Sequence, residues 1–155
     1  VNRISVADQF PDVHRRLLTL NREVETARRN ADLDHAVVEL VKVRASQING
    51  CAFCTDMHAK DALVAGVTAR QLAVLPTWRE TPLFTPAERA ALDLTESMSR
   101  LALTQHVPDE VYAAAADVFT DDQLAVVIWA AAVIQTFNAL NVTCPKPLPE
   151  QDWPI

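Results

Sequence analysis

Residues Glu39–His58 read ELVKVRASQINGCAFCTDMH, and Gly50 divides that stretch into two helices. Upstream of it, Val37, Val38, Leu40, Val41 and Val43 form an apolar run without period-two alternation. Asp32 or Asp34 can cap this run as a helix over residues 33–49, with Gly50 in the C′ role where a positive φ is needed. Cys51 and Cys54 then open a second helix over about residues 52–65, which Gly66 stops.

The same pattern extends outward in both directions. Pro11 suits the first turn of a helix reaching about Arg29, with Val13, Leu17, Leu18 and Leu20 apolar. Thr68 caps a short helix through Leu75, broken by Pro76, and residues 76–85 are expected to form a loop. Thr85-Pro86-Ala87-Glu88 is a capping box with proline at N1, launching a helix to about Leu103. Residues 109–119 and 122–140 complete the set. The last of these is apolar nearly all round, which marks a core helix or one shared with a neighbouring subunit. The spacing therefore predicts an all-α bundle of six or seven helices over residues 1–144, followed by an extended proline-rich tail over 145–155.

Composition agrees. Half of the 155 residues are apolar and 22% are charged, as in a globular chain. Two glycines against nine prolines cannot supply the tight turns of a β-rich fold. The net charge of −6, with no block of basic residues, argues against a nucleic-acid or anionic-lipid surface as the main partner. The longest apolar run, Leu124–Ile134, is shorter than the ~18 residues of a membrane span. No basic segment followed by an apolar one opens the chain, so a cytoplasmic location is expected, where paired cysteines are redox or metal groups rather than structural staples.

The chemistry sits at the start of the second helix. The first turn of a helix presents unpaired N–H groups and a partial positive charge, which favour thiolate over thiol. At 100° per residue, positions 51, 54 and 58 lie within about 60° of one another, so both sulfurs and the His58 imidazole share a face. His58 can take the Cys54 proton, and Cys51 can close a disulfide after one sulfur is oxidised to sulfenic acid. Glu39, in an apolar stretch, should have a partner or a raised pKa: His58 or Cys51 across the Gly50 turn, or His35 one helical turn back; an ion pair with Lys42 or Arg44, or an exposed position, are the plainer alternatives. A thioredoxin-like CxxC would follow a strand, and none is visible; haem attachment would need His where Thr55 stands. Zinc bound by Cys51, Cys54, His58 and Glu39 is the competing reading, and two inert buried cysteines the plainest one.

The pattern of Glu39, eleven residues, Cys51-x-x-Cys54, three residues, His58 resembles that of the AhpD-like alkyl hydroperoxidases of the carboxymuconolactone decarboxylase superfamily, in particular the short single-domain branch. The resemblance implies an all-α homo-oligomer, a trimer or hexamer. It implies a peroxidase in which Cys54 attacks the hydroperoxide, Cys51 donates a proton and resolves, and Glu39 with His58 relays protons. Electrons would come from a separate dithiol, so no flavin, haem, nicotinamide or metal is expected on this chain. Phe53 stands where two-domain members carry a relay His. Asn138 and Asn141 only partly match a C-terminal Asn pattern of relatives, and Cys144 has no counterpart. A lactone-decarboxylating lyase, as in the other branch, is the alternative enzyme, although those relatives generally lack the cysteine pair. A zinc-binding or redox-sensing module is the non-enzymatic one.

Overall fold

Capping chemistry cuts the chain into its elements. The computed structural model describes residues 1–150 and Trp153. Among the described residues there are nine α-helices and no strand: α1 Val6–Gln9, α2 Pro11–Asn30, α3 His35–Ile48, α4 Ala52–Val64, α5 Ala69–Val74, α6 Pro86–Ser99, α7 Leu101–Thr104, α8 Asp109–Ala116 and α9 Asp121–Thr143. Two of these, α1 and α7, are single four-residue turns, so the other seven form the expected all-α bundle. Asp34 caps α3, its side chain accepting from the Ala36 N–H. Thr68, Thr85 and Thr120 each form a reciprocal capping box, with Gln71, Glu88 and Gln123. Each box satisfies orphan N–H donors and sets where its helix starts.

Helix α3 is the axis of the molecule, packing on α4, α6 and α9. Its two sides feed two apolar clusters. Val37, Val38 and Val41 meet Leu94, Val127 and Ala131, while Leu40 and Val43 meet Leu75, Trp78 and Leu92. Each such side chain contributes roughly 1.5–3 kcal/mol by leaving water. A third, smaller cluster holds Ala45, Cys51, Cys54 and Ile134, so the cysteine pair sits where α3, α4 and α9 converge.

Three segments depart from the sequence expectation. Residues 76–85 are not all loop: a 3₁₀ helix spans Leu75–Glu80, because buried Trp78 anchors it and the Arg89 guanidinium donates to the Trp78 and Thr81 carbonyls. The helix expected to reach Leu103 breaks at Arg100 (φ −110, ψ 9), and α7 follows as a separate turn that ends on left-handed Gln105. Helix α9 runs on to Thr143, where Arg3 donates to the Val142 and Thr143 carbonyls that the helix leaves unpaired. It is long and apolar enough to cross a bilayer, but it packs against α2, α3, α4, α6 and α8 as a core helix does.

Residues 145–149 carry no regular structure and Trp153 packs against the Leu40 cluster. The rest of the proline-rich tail, residues 151, 152, 154 and 155, lies outside the described residues.

Candidate active site

The turn between α3 and α4 builds the site. Gly50 has φ +69, the Cys51 N–H bonds the Ser46 carbonyl at 2.9 Å and the Gly50 N–H bonds that of Gln47 at 3.3 Å. This is a Schellman closure, and it makes Cys51 the last residue of one motif and the N-cap of the next helix. The Cys51 Sγ accepts the Cys54 N–H at 3.3 Å, as an N-cap side chain does. Cys51 and Cys54 are joined as a disulfide, with Cα atoms 5.4 Å apart. Both are nearly covered, 2% and 1% exposed, yet each lines an opening.

On α3 a buried carboxylate has two hydrogen-bond partners and a third basic group beside it. Glu39 Oε1 accepts from Lys42 Nζ at 2.7 Å and faces His35 Nε2 at 3.3 Å, while Oε2 lies 3.0 Å from His58 Nδ1. Three of the partners the sequence left in competition are thus present together. Of the other two, Cys51 is bonded to Cys54, and Arg44 bonds Glu96 at 2.7 Å, in a knot around that buried carboxylate with Arg79 and the Trp78 indole that ties α3, α6 and the 3₁₀ turn. Burial alone would raise the Glu39 pKa; the His58 hydrogen bond and the Lys42 charge and hydrogen bond outweigh it and lower the value from 4.5 to about 2. An ionised carboxylate only accepts, so His58 Nδ1 must carry the proton and Nε2 is left as the basic nitrogen.

Cys54, His58 and Phe53 line a cavity of about 240 Å³ with Leu18 of α2 and Ile134 and Phe137 of α9. The Asn141 Nδ2 donates to Cys54 Sγ at 3.4 Å, a contact the sequence reading did not find. Asn141 lies 87 residues from Cys54 on a helix apolar almost all round, so no periodicity marks its face. Asn138, one turn earlier, instead bridges Ser46 Oγ and Asn49 and fixes α9 to the end of α3. Lys146 stands 5.5 Å from the Phe53 ring centroid at the cavity rim. Cys144 is free and half-buried.

Zinc held by Cys51, Cys54, His58 and Glu39 would need both sulfurs as thiolates, and here they are joined to each other. Among the described residues, Glu39, His58 and Asp61 bring ligand atoms within 4.8 Å of one another, but the Lys42 ammonium on Glu39 competes with a cation there.

Residues 11–97 match the carboxymuconolactone decarboxylase family. The chain belongs to that family. The uncharacterized protein YdfG of Bacillus subtilis is 32% identical over 120 residues, 77% of this chain and 81% of YdfG. A crystal structure of a protein of unknown function from Agrobacterium tumefaciens, suggested to be the antioxidant-defence protein AhpD, superposes with a TM-score of 0.87 at 30% identity. The match covers 97% of this chain and all of the other. The chain is thus an AhpD-like member of the carboxymuconolactone decarboxylase superfamily. The debrominase Bmp8 shares the fold at 16% identity and a TM-score of 0.67, over 86% of this chain and 76% of its own. Enzymes therefore occur on this scaffold.

Proposed function

We propose that the protein is a dithiol peroxidase that reduces organic hydroperoxides. The observation that carries this reading is the placement of Cys54 and His58 on one cavity wall, with Glu39 holding His58 from behind. In the reduced protein, His58 Nε2 takes the Cys54 proton and the thiolate attacks the terminal peroxide oxygen. The O–O bond breaks, the alcohol leaves with a proton returned through the relay, and Cys54 becomes a sulfenic acid. Cys51 then gives up its proton to the relay and its sulfur attacks the sulfenic sulfur; the S–O bond breaks, the hydroxyl leaves as water with that proton, and the Cys51–Cys54 disulfide forms. A separate dithiol restores both thiols, so the cycle needs no flavin, haem, nicotinamide or metal on this chain. The dithiol supply fits a cytoplasmic setting. We further propose that the chain works as a homo-oligomer, a trimer or hexamer, with no nucleic-acid or membrane partner.

Steady-state peroxide consumption with a panel of dithiol donors is the test. Turnover that disappears in Cys54→Ser supports the reading. Absence of turnover with every donor, or oxidation unchanged in Cys54→Ser, overturns it.

A further inference from the structure

The two sulfurs of the disulfide open in different directions. Cys54 lines the 240 Å³ cavity between α2, α4 and α9, and Cys51 takes no part in that lining. Cys51 lines a separate, wider groove of about 510 Å³ with Gln47, Gly50, Ala52, Thr55 and Trp153, and Cys54 takes no part in that one. The two openings share no residue.

The geometry points to a division of labour between the openings: the peroxide enters at Cys54, and the thiolate of the dithiol reductant enters through the groove and attacks Cys51. This rests on the redox-pair reading of the site but not on the identity of the oxidant. Thiol–disulfide exchange depends on which sulfur is accessible and on how well the leaving sulfur carries charge. Attack on Cys51 Sγ forms a bond from the reductant sulfur to Cys51, breaks the Cys51–Cys54 bond and places the electron pair on Cys54. Cys54 is suited to hold it, because the Asn141 amide donates to its Sγ at 3.4 Å, whereas the partial positive charge of the α4 N-terminus serves both sulfurs. Attack on Cys54 would instead expel Cys51, whose sulfur has a single backbone donor, the Cys54 N–H. The second thiolate of the reductant then attacks the reductant's own sulfur in the mixed disulfide, forming the reductant disulfide and releasing Cys51 as thiolate. The two protons of the dithiol end on Cys51 and Cys54.

The site of attack can be read directly. Protein oxidised with diamide is exposed briefly to 2-mercaptoethanol, quenched with N-ethylmaleimide, and cleaved after Arg44 and Lys60. Fragmentation of the 45–60 peptide should place the mercaptoethanol adduct on Cys51 and maleimide on Cys54. An adduct on Cys54, or one divided evenly, overturns the assignment. As a second readout, Ala52→Trp fills the groove from an exposed position and should slow disulfide reduction by dithiothreitol about tenfold by blocking access. Lys60→Trp, exposed on the same helix and outside the groove, should leave that rate unchanged. Equal rates in the wild type and Ala52→Trp also count against the groove. Diamide needs no peroxidase activity, so a failed peroxide assay and a failed adduct assignment are separate results.

Discussion

Glu39 is the residue on which the others depend, because its two oxygens join a buried ammonium to the imidazole beside the sulfurs. Glu39→Gln keeps the shape but removes the charge, leaving the buried Lys42 ammonium without a counter-ion. Breaking one side of a buried pair costs roughly 3–5 kcal/mol, so the variant should melt well below the wild type. It should also lose about 10²-fold or more in peroxide turnover, the usual scale of a lost proton relay. A variant as stable and as active as the wild type would show that Glu39 is an incidental buried acid. The pH dependence follows from the direction of its pKa. The folded value is lowered from 4.5 to about 2, so the stability Glu39 supplies is fully present above about pH 4.5 and is lost as pH falls toward 2. Melting temperatures of wild type and Glu39→Gln should therefore differ most near neutral pH and converge toward pH 2.

At the scale of elements, the α3–α4 turn decides whether the cysteines meet the relay at all. Gly50 sits at φ +69 with no atom within 4 Å of where a Cβ would stand, so a side chain there meets backbone strain and no clash. Gly50→Ala should cost about 1–2 kcal/mol, whereas Gly50→Asn, which tolerates the left-handed region, should cost less. Thermal melts that rank Ala above Asn would contradict this. The turn was legible in advance because its signal is local: glycine after an apolar helix, then CxxC, then His one turn on. The capping box at Thr85 and the glycine stops were legible for the same reason. What could not be read depends on distant chain. Trp78 winds its segment into a 3₁₀ helix by docking on Leu40, Val43 and Leu92. Asn141 reaches Cys54 from a helix whose apolar residues surround it and so assign it no face. The local pattern could say that Glu39 needed a partner, but not that His35, Lys42 and His58 would all serve.

At the scale of the molecule, α2 is the element least accounted for by a single chain. It runs for 20 residues and buries only Val24, leaving Val13, Leu18 and Leu20 exposed to varying degrees. Beside it on α9, the Trp129 ring is 54% exposed, and the two helices frame a groove of about 410 Å³ lined by Leu20, Val24, Ala27, Ala125 and Trp129. An apolar surface of this kind on an acidic protein is where a second copy would bury area, as self-association requires. Wild-type protein should sediment as a trimer or hexamer, and Trp129→Glu, at a position already half in water, should sediment as a folded single chain. A wild type that is monomeric at every concentration, or a variant with unchanged mass, would remove α2 and α9 from any interface. The same two helices supply Leu18, Ile134 and Phe137 to the cavity at Cys54. A partner clamped on their outer faces would hold that cavity in shape, since α2 has little buried surface of its own to do so. Peroxide turnover in Trp129→Glu should then fall through a raised KM while disulfide reduction by dithiothreitol, which acts at the far side on Cys51, stays as in the wild type.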